Sequence, residues 1–259
     1  MDDNYTQKIN IGARILDSAR GNLYLAMRFM DIALCAFAYK PDEGRQMAGT
    51  DGNVIYYCPD YVMDRYEAGR GYADRLYLHM TLHCIYRHIF RISNRKVRLW
   101  NLACDIAVEH VIDGLPYGCV RMRIPAVRDL CYRKISEYTS ILNADLIYKY
   151  LENNPMDEDT LKAWENEFLV DDHTYWYRED KNSRSNMKNE QKWDDISRKM
   201  QTSMETIEKG IGHDDKNLYD SIQIENRKRY DYRDFLRKFA VYREEMHIDP
   251  DEFDYNFYT

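Results

Sequence analysis

The segment from about Tyr72 to Ile92 constrains this chain most: it reads as one long helix and carries two histidines four residues apart. Its middle reads Leu78-His79-Met80-Thr81-Leu82-His83-Cys84-Ile85-Tyr86-Arg87-His88. This helix and the Leu99 to Ile112 helix are expected to pack at the centre of one mostly helical domain. On the first of them the rings of His79 and His83 lie one above the other, which is how a helix offers two imidazoles to one metal ion. The spacing is that of the H-E-x-x-H motif of zinc peptidases, but Met80 stands where the glutamate would be. A thioether cannot take a proton from metal-bound water, so metal binding and catalysis become separate questions. His88 falls about half a turn away from His79 on an unbroken helix. It joins the same ion only if the helix ends or bends near Tyr86-Arg87.

The next helix, Leu99 to Ile112, is closed by Gly114-Leu115-Pro116 and follows the short polar turn Ser93-Asn94-Arg95-Lys96, so the two helices are expected side by side. Asn101, Asp105 and Glu109 recur every four residues on one face, while Leu102, Ala103, Ile106, Ala107 and Val111 are apolar. A carboxylate in such a segment is costly unless paired or bound to metal. Two imidazoles, one carboxylate and a water make a standard catalytic zinc site, which nominates His79, His83 and Asp105, with His88 as a further candidate. The plainer alternative pairs Asp105 with Arg87, Arg91 or Arg98. Glu109 is the acidic side chain whose spacing best fits it to stand in for the missing base. Asn101, Arg87 and Arg91 are candidates to support the ligands.

Elsewhere the pattern is strongly helical. Helices are expected over Ile9 to Lys40 with a break at Gly21-Asn22, Pro125 to Tyr138, Leu142 to Leu151, Glu158 to Phe168, Trp193 to Ile211 and Tyr230 to Tyr242. Asn53 to Tyr57 reads as a short strand after a Pro41 to Gly52 loop. The fold class is therefore α+β and predominantly helical, with a small β-sheet or hairpin beside the histidine helix. The polar stretch 177–190 reads as a mobile loop within one domain spanning 1–259, and a linker or strap begins near residue 243.

A formal net charge of -7 argues against a general nucleic-acid binder. No run of eighteen apolar residues is present, so no membrane partner is expected. The six cysteines form no C-x-x-C pair. Cys35, Cys84 and Cys104 lie in apolar helical patterns, as buried free thiols of a cytoplasmic protein would.

Several separated segments share an order with a known family. Gly52-Asn53-Val54-Ile55-Tyr56-Tyr57 with Pro59 comes first, then His79, His83 and His88 followed by an arginine. Trp100-Asn101-Leu102-Ala103-Cys104-Asp105-Ile106-Ala107 follows, and then Tyr230 to Phe239. In these the chain resembles the metallopeptidase-like domain (zincin-like, DUF2201 N-terminal type) that precedes a von Willebrand factor A-like domain in bacterial proteins, often near MoxR-type AAA ATPases. The resemblance implies a zincin-like core and Zn²⁺ at His79 and His83, with His88 or Asp105 completing the site. It also implies a downstream A-like domain, not included in these residues, and an AAA ATPase as partners.

Two departures bear on function: Met80 removes the general base, and Arg87 replaces a small residue that commonly precedes the third histidine. The expected function is thus a degenerate zinc metallopeptidase-like domain, weak or inactive, acting as a binding or scaffold module for a peptide or protein ligand. The alternative is an active zinc-dependent peptidase with a non-standard base.

Overall fold

Thirteen consecutive residues of the histidine helix, Ala73 to Ile85, are buried, and this sets the architecture. The computed structural model describes residues 3–91, 94–177, 184–208 and 216–227. The histidine helix, α4 (Arg70–Ile85), lies in the middle. It packs on α1 (Asp3–Ala26) and α3 (Pro59–Ala68) on one side, and on α5 (Val97–Asp113) and α9 (Arg184–Glu208) on others. A four-residue turn, α2 (Asp31–Leu34), also touches it. α7 (Ala144–Asn153) covers α5, and α6 (Ala126–Tyr138) pairs with α8 (Glu158–Phe168). A further helix, α10, spans 216–227. The buried apolar side chains form one connected core, in which Trp100, Trp164, Trp193 and Tyr77 are among the largest.

Local chemistry explains the helix ends. Pro59 occupies the first turn of α3, where its missing N–H costs nothing. Asn143 and Asp157 cap α7 and α8, accepting from the Leu146 and Thr160 amides at 3.0 and 2.8 Å. Between α3 and α4 stands Gly69 at φ 146°, a backbone conformation that side chains resist.

The sheet has three strands in the order β1 (Ala38–Pro41), β3 (Val54–Tyr57), β2 (Ala48–Thr50). β1 runs parallel to β3, with Ala38 opposite Val54, and β2 runs antiparallel, with Ala48 opposite Tyr57. The Tyr57 hydroxyl donates to the Ile9 carbonyl at 3.0 Å, which ties the sheet to α1. α9 closes the turn between β2 and β3: the Trp193 indole donates to the Gly52 carbonyl at 2.7 Å and Asn189 to that of Asp51 at 2.9 Å.

The predominantly helical fold with a small sheet stands as expected; several boundaries do not. α1 passes through Gly21-Asn22 and ends at Ala26, and the stretch beyond it turns twice before β1. β2 lies inside the expected loop. The histidine helix stops at Ile85, because Arg87 takes the left-handed conformation (φ 61°, ψ 28°) and a 3₁₀ turn, His88–Phe90, follows. Residues 184–190, read as loop, are the first turns of α9, anchored by the buried Asn189. Residues 178–183, the expected helix at 230–242 and the strap from 243 lie outside the described residues. All six cysteines are free; Cys84, Cys104 and Cys131 are buried, but Cys35 is exposed at the end of α2. No described helix is long and apolar enough to cross a membrane.

Candidate metal centre

Three separate elements aim donors at one point. α4 brings His79 and His83, α5 brings Asp105, and the segment after α8 brings Asp171 and His173. One donor atom from each lies within 4.8 Å of all the others, and all five residues are buried. The Nε2 atoms of His79 and His83 are 2.8 Å apart. Asp105 Oδ1 stands 3.4, 3.2 and 3.0 Å from the Nε2 of His79, His83 and His173. Asp171 Oδ1 stands 3.4, 4.0 and 2.9 Å from the same three atoms.

The approaches of the two carboxylates to the imidazoles are not hydrogen bonds, whereas His79 and His83 pair through their Nε2 atoms. Asp105 Oδ1, both oxygens of Asp171 and His173 Nε2 have no hydrogen-bond partner among the described residues, although each is shut away from water. Orphaned buried carboxylates and an orphaned imidazole nitrogen, converging at ligand spacing, are what a divalent cation would satisfy. The donor set fits a metal.

The surroundings prepare the imidazoles for this role. Glu109 Oε1 lies 2.8 Å from His79 Nδ1. Its other oxygen takes a hydrogen bond from Arg75 and one of 2.5 Å from Arg128. Burial alone would push the Glu109 carboxyl up, but the His79 bond and the two guanidinium groups hold it well below its ordinary range. An ionised carboxylate only accepts, so His79 Nδ1 is the donor and Nε2 is the atom left to face the centre. His83 Nδ1 pairs with His88 Nδ1 at 2.9 Å, which again leaves Nε2 inward.

The electrostatics agree. Burial lowers the basicity of His79 and His173, yet the carboxylates around them more than reverse it; His173 is pushed up to about 9. Asp105 and Asp171 go the other way: burial disfavours their charge, and the histidines beside them pull both well below the usual range. His83, buried beside His79, falls to about 4, and His88 is lowered by burial and by its neighbours His83 and Arg91. Positive charge is wanted at the convergence point.

The Asp171–His173 segment is held as firmly as the helices. Asp172 donates its N–H to the Ala48 carbonyl of β2 at 2.7 Å, and the Tyr61 hydroxyl donates to the Val170 carbonyl at 2.6 Å. Tyr175 stacks on Tyr56 of β3, with centroids 4.4 Å apart and planes at 6°, and donates to Asp42 at 2.7 Å. Trp176 then lies flat on His173, at 3.5 Å and 18°, and meets His83 edge-on.

Of the residues singled out in the sequence, His79, His83 and Asp105 meet at the centre. His88 is not among the five converging donors; its ring backs His83. Glu109 is engaged on both oxygens, by His79 on one and by two arginines on the other, which leaves it no hold on a water at the centre. Met80 is fully buried in the core. Asn101 accepts a hydrogen bond from Tyr177. Arg87 faces Asp194 and Asn226, Arg91 faces Glu225 and Asp145, and Arg98 binds Glu158 and Glu165. Asp105 is therefore partnered by imidazoles and not by arginines. Asp171 and His173 went unnoticed in the sequence. Their one signal is an Asp-x-His pair set between a capped helix and an aromatic run, Thr174-Tyr175-Trp176-Tyr177.

A mostly helical domain with a buried three-histidine, two-aspartate cluster defines the class. Residues 13–225 match the model of the family described as "Putative metallopeptidase domain", DUF2201_N, and the chain belongs to that family. No curated protein and no solved structure matches the chain.

Proposed function

We propose that this domain holds a divalent metal ion at His79, His83, His173, Asp105 and Asp171, and that it acts as a binding or scaffold module with little or no peptidase activity. The observation that carries the reading is the enclosure of five orphaned or converging donors while Met80 occupies the position of the motif glutamate. A hydrolytic site keeps an open position for water and a base to activate it. Here the five donors are no more than 6% exposed as whole residues, and Trp176 lies across His173 and His83. An ion in such surroundings fastens α4, α5 and the 171–173 segment to one another. When bound, it would supply positive charge to the two carboxylates; Glu109 and His88 would orient the imidazoles. Family resemblance makes Zn²⁺ the expected ion, and a von Willebrand factor A-like domain and a MoxR-type AAA ATPase the expected partners in a cytoplasmic assembly.

Metal content measured on untagged protein, beside a peptidase assay on unfolded protein and short peptides, tests the proposal. One ion per chain with no hydrolysis is expected. Met80→Glu returns a carboxylate to the motif position and is expected to raise hydrolysis above that of the unmodified chain. Metal-dependent hydrolysis by the unmodified chain, abolished in His83→Ala, would show that the domain is an enzyme with a non-standard base. Co-purification of the full-length protein with the ATPase tests the scaffold role.

A further inference from the structure

The spacing of the five donors carries information about which ion they suit, an inference that rests on the reading of the cluster as a metal centre. Around a tetrahedral ion with bonds of about 2.0–2.1 Å, every pair of donors is separated by about 3.3–3.4 Å, and there is room for four. Around an octahedral ion with similar bonds, neighbouring donors are about 3.0 Å apart and opposite ones about 4.2 Å. The cluster shows edges of 2.8, 2.9, 3.0, 3.2, 3.4 and 3.4 Å and one diagonal, His83 Nε2 to Asp171 Oδ1, of 4.0 Å. Short edges together with a long diagonal depart from a tetrahedron and fit an ion with five or six ligands. His83 and Asp171 stand as an opposite pair, and His79 and His173 each make edges to Asp171.

The alternatives to coordination are equally informative. A four-coordinate ion would leave one of the five out. Neither Asp171 nor the Nε2 of His173 has another hydrogen-bond partner among the described residues to fall back on. Either one left out would stay buried with only the other donors of the cluster beside it. Two carboxylates balance the charge of a divalent ion, while the three imidazoles remain neutral ligands. Oxygen donors in this proportion suit Mn²⁺ and Fe²⁺ better than they suit an ion with tetrahedral habits. Affinity at equal geometry runs the other way, towards zinc, so geometry must be what selects.

We infer that the chain binds its ion through all five side chains, and that it takes a five- or six-coordinate divalent ion of the Mn²⁺ or Fe²⁺ kind in preference to four-coordinate Zn²⁺. Asp171 and His173 are then ligands in their own right and not a cover over a two-histidine, one-aspartate site.

Cobalt substitution reads the coordination number directly and needs no variant. Metal-free protein titrated with Co²⁺ should develop the weak visible absorption of a five- or six-coordinate ion, and competition in the presence of equimolar Mn²⁺, Fe²⁺ and Zn²⁺ without oxygen should load manganese or iron. Asp171→Asn and His173→Gln, each checked for retained helical circular dichroism, should weaken Mn²⁺ binding by more than about 100-fold, beyond the 10–100-fold typical of an outer supporting residue. Intense tetrahedral cobalt absorption, with zinc loaded from the mixture and Asp171→Asn binding as well as the unmodified chain, would overturn the inference while leaving a metal centre in place. Failure to take up any of the four ions would instead remove the metal reading itself.

Discussion

Gly49 sits in β2 with the 171–173 segment pressed against it, and replacing it by alanine tests whether that segment is a working part of the centre. A Cβ at this position would meet the Asp172 carbonyl oxygen at 2.2 Å and Tyr175 Cδ2 at 2.8 Å. Ordinary contact begins near 3.5 Å, so the carbonyl must retreat by about 1.3 Å. It belongs to the backbone, which cannot swing aside as a side chain could. The retreat pulls on the 2.7 Å bond from the Asp172 amide to Ala48 and moves Asp171 and His173, which flank it. Overpacking of this kind costs about 1–3 kcal/mol, and the strained hydrogen bond adds about 1 kcal/mol. Urea unfolding of metal-free Gly49→Ala should therefore show a loss of about 2–4 kcal/mol. Chelator competition should show metal affinity reduced by at least about 10-fold. Gly21→Ala in α1 is the control: nothing lies within 4 Å of its added methyl, and the change should stabilise by about 0.5–1 kcal/mol. If Gly49→Ala unfolds within about 0.5 kcal/mol of the parent and binds metal equally well, the segment is not held against β2 in the way described.

Three further outcomes follow from buried charge and backbone strain. Glu109→Gln leaves Arg75 and Arg128 with Asp113 alone among the buried acids that contact them and removes the acceptor that orients His79; it should cost about 3–5 kcal/mol in thermal or chemical unfolding and weaken metal binding about 10–100-fold. Burial raises the Asp74 carboxyl from 3.8 to about 6 against the opposing hydrogen bond from Asn22 and charge of Arg70, so the folded state binds its proton more tightly than the unfolded chain does. The stability this gives is complete below about pH 4 and is lost as pH rises through 6. Asp74→Asn should thus gain on the parent across that window, by about 1–2 kcal/mol once solvent screening is allowed for, in unfolding measured at pH 4, 5, 6 and 7. Arg87→Gly relieves a left-handed arginine, worth about 1–2 kcal/mol, but withdraws a buried guanidinium from Asp194 and Asn226; a net loss of about 1–3 kcal/mol in unfolding is expected, and a net gain would mean that those contacts contribute little.

What could be read in the sequence and what could not divides along the range of the forces involved. α4, α5, α6 and α8 showed themselves because apolar periodicity and end signals such as Pro125 and Gly114 act within a few residues. The same periodicity put Asp105 and Glu109 on one face of α5, though it could not say which would meet the centre and which would stand behind His79. β1 and β2 escaped notice because Ala38-Tyr39-Lys40-Pro41 and Ala48-Gly49-Thr50 hold too few branched or aromatic residues to alternate visibly; they are strands because β3 offers a partner on each side. Helix α9 was hidden at its start by polar residues whose anchor, Asn189, bonds to Asp51 far back in the chain.

The end of α4 carries the argument furthest. A glycine-free run through Tyr86-Arg87-His88 promised a continuing helix, and a continuing helix would carry His88 away from His83. The chain instead spends an arginine in the left-handed region, a conformation with a penalty for any residue bearing a Cβ. The compensation comes from Asp194 on α9 and Asn226 on α10, more than a hundred residues later in the chain, which take the Arg87 guanidinium into the interior. The turn that results sets His88 against His83 Nδ1 and so fixes which nitrogen of His83 faces the centre. Asp171 and His173 arrive by the same logic, placed through β2 and the Tyr56–Tyr175 stack and not by any local repeat. A motif read along one helix therefore finds two of the five donors, a second helix supplies a third, and the tertiary structure that closes the site decides the remaining two.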